Sequence, residues 1–154
     1  MLHLNGEAAE SVNKKHAGLE RVDHHVAKLR VFIGFADEKL RVAMLLLLGS
    51  EHGVVIVGIT DRLPGLVPQV DATQPDVLLL DWEMSSQSLA KLIADIRNLG
   101  HPLRIVYLSS KPENEKEVLG AGADYFIAKN APPDKLLLIL HGQQSRLMEI
   151  SNPK

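Results

Sequence analysis

The sequence contains no cysteine, and neither sign of charge dominates it. The absence of cysteine excludes disulfide bonds, a thiolate nucleophile and cysteine-ligated zinc, and it is compatible with a reducing cytoplasm. The formal net charge is −2, with 17 Lys and Arg residues against 19 Asp and Glu residues. No basic excess therefore indicates binding to nucleic acid or to an anionic membrane surface.

The sequence also lacks a hydrophobic run long enough to cross a membrane. The longest runs, such as residues 42–48, are far shorter than the roughly 20 apolar residues that a spanning helix needs. The chain starts with MLHLNGEAAES, which is acidic and polar and unlike a signal peptide. With 154 residues, 45% of them hydrophobic and 23% charged, the chain has the size and composition of one globular domain. We expect a cytoplasmic protein with no membrane contact.

Residues 1–28 differ from the rest of the chain. They contain four of the seven histidines and no aromatic residue. Apolar residues recur there at three-, four- and seven-residue steps, which suit one face of a helix: Val12, Leu19, Val22, Val26 and Leu29. We interpret this segment as a polar, partly helical extension; the alternative is a short helix that packs on the domain or on a second copy. No carboxylate or cysteine is spaced to complete a metal site with the histidines.

Short apolar runs alternate with amphipathic stretches from residue 29 to residue 148, and residues 149–154 read as a frayed tail. The apolar runs predict five β-strands, at 30–35, 54–59, 76–80, 103–108 and 124–128. The amphipathic stretches predict helices at 38–49, 63–73, 87–99, 113–121 and 133–148. Five such β–α units predict an α/β fold with a doubly wound parallel sheet and helices on both faces. Pro68 lies inside the second stretch and indicates a short or bent helix there.

Polar side chains follow three of the predicted strands: Asp81 after the third, Ser109 after the fourth and Lys129 after the fifth. An unpaired buried charge costs roughly 3–5 kcal/mol, so we expect Asp81 to lie at the solvated end of its strand. A carboxylate nucleophile with a hydroxyl and an ammonium beside it suits the transfer of an anionic group. Each residue also has a structural interpretation: a helix N-cap, a turn residue and a solvated strand end.

The sequence resembles the receiver domain of two-component response regulators, a CheY-like superfamily, and especially the receivers that precede LuxR/NarL-type DNA-binding domains. The resemblance extends from Leu29 to His141 and is carried by LRVFIG, LLGSEHGVVIVG, PDVLLLDWEM, RIVYLSS and GADYFIAKNAPPDKLL. It implies a flavodoxin-like five-stranded sheet with strand order 2-1-3-4-5, and a histidine kinase as partner in a phosphorelay. By resemblance, Asp81 is the phospho-acceptor, Ser109 contacts the phosphoryl group, Lys129 is the family's lysine, and Phe126 is the aromatic switch residue.

The sequence departs from the family where the metal binds. Receivers carry two adjacent acids at the end of the first strand, which hold Mg²⁺ together with the phospho-acceptor. A match without gaps places Phe35 and Ala36 at those positions. Asp37 and Glu38 can take their place only if one residue is deleted inside the first helix, which would rotate each later apolar residue by about 100°. We therefore assign the acid positions to Phe35 and Ala36 and expect Asp37 to cap the helix.

This departure has a direct chemical consequence. Mg²⁺ requires oxygen ligands in near-octahedral geometry, and a phenyl ring and a methyl group supply none. Asp81 would be the one remaining family ligand. Three further departures agree: Ser85 and Leu89 stand where the family often has proline and glycine, and KPENEKEVLGA is about two residues shorter than the family's usual fourth helix.

Three functions are therefore compared. The first is a degenerate receiver that signals through protein–protein contact, with Lys129 paired to Asp81 and Phe35 filling part of the acid pocket. The second is a working receiver, phosphorylated on Asp81 by a histidine kinase with Asp37 or Glu38 serving Mg²⁺. The third is an unrelated small-molecule binder, but the FADEK turn is a poor phosphate cradle.

The first interpretation is preferred, and it requires no cofactor; Mg²⁺ enters only with the second. It describes a signalling module and not an enzyme, since Ser109 lacks a G-x-S-x-G elbow and no histidine lies near the presumed site. Its expected partners are a histidine kinase or another signalling protein. A homodimer is plausible, and direct binding to nucleic acid is not expected.

Overall fold

The computed structural model describes residues 27–85 and 89–142, which contain a five-stranded parallel sheet of order β2-β1-β3-β4-β5. The strands are β1 (Leu29–Gly34), β2 (Val54–Thr60), β3 (Val77–Asp81), β4 (Arg104–Ser109) and β5 (Tyr125–Ala128). This confirms the predicted fold class and strand order. The observed strand boundaries lie within one residue of the predicted ones.

Helices cover both faces of the sheet, as predicted. They are α1 (Glu38–Gly49), α2 (Leu66–Thr73), α3 (Trp82–Ser85), α4 (Leu89–Arg97), α5 (Glu115–Gly120), which follows a 3-10 turn at Pro112–Asn114, and α6 (Pro133–Leu140). The bounds of α1 are the predicted ones. Three predicted parts of the chain lie outside the described residues: residues 1–26 of the extension predicted at 1–28, the end of the last predicted helix at 143–148, and the tail at 149–154. In the part of the chain that is described, no helix is long and apolar enough to cross a membrane.

The helix α2 is shorter than the predicted 63–73. It begins at Leu66 after the cap residue Gly65, so Pro68 falls in its first turn. The backbone N–H groups of a first turn have no acceptor within the helix, and a proline there removes no hydrogen bond. The conflict that the sequence shows at Pro68 is thus resolved by a late helix start.

Side chains alternate between two hydrophobic cores, one on each face of the sheet. Along β3, Leu78 and Leu80 face the core that is covered by α2 and α4, whereas Val77 and Leu79 face the core that is covered by α1 and α6. All four are fully buried. Such continuous burial is typical of a central parallel strand, and it explains the unbroken apolar run that precedes Asp81.

One glycine is required for the packing of β1 against β2. Gly58 is paired with Phe32, directly after a shift in the register between the two strands. A Cβ atom on Gly58 would lie 2.3 Å from Cε2 of Phe32. Because glycine has no side chain, the Phe32 ring can pack against the backbone of Gly58 in the core.

Candidate functional site

Asp81 is the last residue of β3, and its side chain is buried. Only 1% of the side chain is exposed, and Oδ1 lies 2.7 Å from Nζ of Lys129. The expectation that Asp81 lies at the solvated end of its strand is therefore wrong. The charge can be buried because an ammonium from a distant part of the chain reaches it, whereas Oδ2 has no hydrogen-bond partner among the described residues.

Lys129 bridges two carboxylates. Its Nζ lies 2.7 Å from Oδ1 of Asp81 and 2.7 Å from Oε1 of Glu83, while its backbone N–H donates to the Ser109 carbonyl at 2.9 Å. Burial by itself lowers the pKa of Lys129, but the hydrogen bonds to the two carboxylates outweigh that effect and raise the pKa above its usual value. Lys129 is therefore a fixed positive charge at this edge of the sheet.

Glu83 belongs to the site but was not predicted from the sequence. It lies in α3, two residues after Asp81, and its side chain is about half exposed. Its hydrogen bond with Asp81 lowers the pKa of Glu83 to about 2, against the raising effect of burial and with further help from Lys129. For Asp81 the pKa is raised, first by burial and then by the neighbouring Glu83 carboxyl, against the lowering effect of Lys129. The exposed carboxylate thus carries the negative charge more readily than the buried one.

Phe35 and Ala36 follow the end of β1 beside this site. Gly34, the last residue of β1, is paired with Leu80 of β3. Phe35, which directly follows β1, therefore lies level with Asp81, the last residue of β3. Phe35 is fully buried in the core covered by α1 and α6, and Ala36 is exposed. Neither side chain contains an oxygen atom that could bind a metal.

Asp37 and Glu38 are occupied with the start of α1. Asp37 is the N-cap residue, and its Oδ1 accepts a hydrogen bond from the backbone N–H of Lys39 at 3.0 Å. Glu38 is the first residue of the helix, and both side chains are exposed. The predicted cap is confirmed. Across residues 27–85 and 89–142, no group of three His, Cys, Asp or Glu side chains is close enough to hold a metal ion.

Besides Lys129, a second positive side chain lies at this edge of the sheet, next to the residues that follow β1. Arg41 of α1 donates from Nη1 to the Phe35 carbonyl at 2.9 Å and to the Ala36 carbonyl at 3.4 Å. The carbonyl oxygens of both loop residues therefore accept hydrogen bonds from the Arg41 guanidinium. This contact could not be predicted from the sequence, because it depends on how the loop folds back on the first turn of α1.

Ser109 ends β4, and its hydroxyl group is tied to the following loop. Its Oγ accepts hydrogen bonds from the backbone N–H of Lys111 at 3.0 Å and from Nδ2 of Asn114 at 2.9 Å. This agrees with the turn interpretation of Ser109, and it leaves the hydroxyl proton to be donated elsewhere. Asn114 was not predicted as a member of this group.

Phe126, the predicted switch residue, lies on the β5 edge of the sheet. It is paired with Tyr107 of β4, is partly buried and packs against the core covered by α2 and α4. The structure therefore places Asp81 and Lys129 together, with Ser109 linked to Lys129 through the backbone, and Phe126 on the outer strand.

Comparison with known proteins identifies the same family that the sequence motifs resemble. Residues 36–141 match the family described as "Response regulator receiver domain". The curated relative named "Probable transcriptional regulatory protein NarL", from Mycobacterium tuberculosis, is 28% identical over 106 residues, which cover 68% of this chain and 49% of the relative. The chain thus spans about half the length of this relative.

Solved structures show the same fold. The signal receiver domain of NarL from Mycobacterium tuberculosis has a TM-score of 0.62 at 23% identity, over 83% of this chain and 99% of that one. The RcsB response regulator of Salmonella typhimurium, described in connection with DNA interaction, has a TM-score of 0.67 at 22% identity, over 80% of this chain and 67% of that one. With the family match covering most of its length, the chain belongs to the response regulator receiver domain family.

Proposed function

We propose that this chain is a degenerate receiver of a two-component system, which signals by contact with other proteins and has little or no Mg²⁺-dependent phosphorylation on Asp81. The observation that carries the proposal is the buried Phe35 at the strand position level with Asp81. By resemblance to the family, a receiver that is phosphorylated has a metal-binding acidic residue at the position that Phe35 occupies in this chain.

The chemistry of the available donors supports this reading. Mg²⁺ favours an octahedron of oxygen atoms, with one or two carboxylates among them. The described residues supply Asp81 and Glu83, and both already bind Lys129. Asp37 would have to leave the cap of α1 before it could take part. The residues present therefore do not fit the metal site of the family.

The electrostatics of phosphoryl transfer lead to the same conclusion. Transfer to Asp81 would bring additional negative charge next to Glu83, with Lys129 to neutralise it. Catalysis of this reaction depends mainly on positioning and charge neutralisation, in which the metal normally has a large part. Each loss of about 1.4 kcal/mol in transition-state stabilisation slows the reaction tenfold. Loss of the metal ligands is therefore expected to make Asp81 a poor acceptor.

A working receiver is the second candidate. It is favoured by the contact between Asp81 and Lys129, together with the Ser109 hydroxyl, whose oxygen accepts hydrogen bonds and whose proton can still be donated. In this case a histidine kinase would phosphorylate Asp81, with Asp37 or Glu38 serving Mg²⁺. The two candidates share their partner class, a histidine kinase or another signalling protein in the cytoplasm, and both allow a second copy of the chain as partner.

Incubation with acetyl phosphate and Mg²⁺, followed by intact-mass measurement, distinguishes the candidates. We expect no Mg²⁺-dependent gain of a phosphoryl group by the wild-type chain. The matched variant Phe35→Asp/Ala36→Asp restores both acid positions and should gain the phosphoryl group when Mg²⁺ is present. A Mg²⁺-dependent gain by the wild type that Asp81→Asn abolishes would establish the working receiver instead.

A further inference from the structure

The helix α1 carries apolar side chains on the side that faces away from the sheet as well as on the side that faces it. Met44 and Leu48 are buried against the sheet, whereas Val42 is 45% exposed and Leu46 is 72% exposed. Residues 42–48 contain no polar side chain. A helix that is apolar on all sides is typical of one that is covered on all sides. The described part of the chain leaves the outer side of α1 open.

We define the outer face of α1 by Lys39, Val42, Ala43, Leu46 and Gly49. Their spacing places them on one side of the helix, and all five are exposed. The first four contribute to a shallow depression of about 530 Å³. A Cβ atom on Gly49 would meet nothing within 4 Å. The outer face therefore has a long side chain at its first end, aliphatic side chains in the middle and open space at its last end.

The outer face is complementary to itself when two α1 helices cross in opposite directions. Val42 and Leu46 lie two residues on either side of Met44, and Lys39 and Gly49 lie five residues on either side of it. A two-fold axis level with Met44 therefore brings Val42 of each copy to Leu46 of the other, and Lys39 of each copy to Gly49 of the other. Because Gly49 has no side chain, the aliphatic stem of Lys39 has room to lie across it.

The charges at the two ends of α1 favour a second copy as the partner. The C-terminal end of α1 carries partial negative charge from its backbone carbonyls, and its last turn contains no basic residue. Glu51, whose side chain is 30% exposed, follows this end. Lys39 supplies the missing cation from the opposite copy, and symmetry gives this contact twice. Arg41, the other basic residue of α1, is held by the loop carbonyls that follow β1.

We propose that two copies of this chain associate through the outer faces of their α1 helices, which cross in opposite directions about a two-fold axis. Stable interfaces bury about 1,200–2,000 Å², and a contact of one helix with another is smaller, so the association is weak and reversible. This inference goes beyond the proposed function and does not depend on the chemistry at Asp81. Its failure would therefore leave the proposed function untouched.

Sedimentation equilibrium of the full chain measures the association. We expect the wild type to change from monomer to dimer between about 10 µM and about 1 mM, as for a small contact. Leu46→Asp places a charge in the middle of the contact and should raise the dissociation constant at least about tenfold.

The matched control is Leu119→Asp. Leu119 is also an exposed leucine, and its helix α5 packs on the core at the other face of the sheet, so this substitution should leave the dissociation constant unchanged. A wild-type chain that stays monomeric at about 1 mM would overturn the proposal. So would a dissociation constant that Leu46→Asp leaves unchanged, or an equal effect of the two substitutions.

Cysteine cross-linking tests the same face without a change of charge, because the natural chain contains no cysteine. Ala43→Cys places the thiols of the two copies on either side of the two-fold axis. With a short bifunctional maleimide, it should form a linked dimer roughly tenfold faster than Ala94→Cys, a control at an exposed alanine of α4. Equal rates of cross-linking for the two variants would overturn the proposal.

An exchange of charges tests the direction in which the two helices cross. Lys39→Glu places a carboxylate against Glu51 and the C-terminal end of α1 in the second copy, and should weaken the dimer about fivefold. The double variant Lys39→Glu/Glu51→Lys brings opposite charges together again and should recover most of the lost affinity. A double variant that dimerises no better than Lys39→Glu would overturn the antiparallel arrangement.

Discussion

Replacing Lys129 with methionine would leave the buried carboxylate of Asp81 without its ammonium. The two side chains are 19% and 1% exposed and lie 2.7 Å apart. Removing one partner of a buried ion pair costs about 3–5 kcal/mol, because the remaining charge stays desolvated. Since Asp81 can take up a proton instead, we expect Lys129→Met to lose about 3 kcal/mol of unfolding free energy at neutral pH, the lower end of that range.

The pH dependence follows from the pKa of Asp81. Burial already raises this pKa in the natural chain, and loss of Lys129 removes an interaction that lowers it. A carboxyl whose pKa is higher in the folded than in the unfolded state destabilises the fold as pH rises above the unfolded value of about 3.9. The difference between Lys129→Met and the wild type should therefore be small near that pH and grow toward neutral pH.

Urea denaturation at several pH values measures this effect. With a denaturant slope of about 2 kcal/mol per M, a loss of about 3 kcal/mol lowers the urea midpoint by about 1.5 M. The control is Asp81→Asn/Lys129→Met, in which no buried charge remains and most of the loss should be recovered. A loss below about 0.5 kcal/mol at neutral pH, as for an exposed ion pair, would show that Asp81 and Lys129 do not form a buried pair. The same conclusion would follow if Lys129→Met cost as much stability in the Asp81→Asn background as in the wild type.

Three further substitutions test other parts of the structure. The ionised form of Glu83, with a pKa of about 2 against its ordinary 4.5, stabilises the fold above pH 4.5, and this contribution disappears as the pH falls toward 2. Thermal unfolding of Glu83→Gln should therefore approach that of the wild type over this acid range, and a constant difference would contradict the assignment. Gly58→Ala should lose about 1–3 kcal/mol in urea denaturation through its clash with Phe32, whereas Gly49→Ala, which meets nothing within 4 Å, should not; equal effects would argue against the packing described. Asp37→Ala should lose about 0.5–2 kcal/mol of unfolding free energy as a lost helix cap, and an unchanged urea midpoint would place its carboxylate elsewhere.

The fold could be predicted from the sequence because its signals are local. Short apolar runs between amphipathic stretches define the strands, and the bounds of α1 follow from its cap and its glycine. The start of α2 could not be placed from Pro68 alone, since a proline is acceptable in a first turn and disruptive later. Only the position of Gly65 in the folded chain decides between the two.

The site was predictable in part. Asp81, Ser109 and Lys129 stand at strand ends and share a family pattern, but the burial of Asp81 depends on a contact across 48 residues of chain. Glu83 was missed because an acidic residue in a first helical turn is common for reasons of helix electrostatics alone. Its contact with Lys129 arises from the direction in which α3 leaves the sheet, which no sequence pattern expresses.

Titration with Mg²⁺, followed by the fluorescence of Trp82, tests the central proposal most directly. Trp82 is the sole tryptophan of the chain and directly follows Asp81, so an ion bound at that carboxylate should alter its emission. We expect no saturable change in the emission of the wild type at millimolar Mg²⁺, and a saturable change in Phe35→Asp/Ala36→Asp. A saturable change in the wild type that Asp81→Asn abolishes would contradict it.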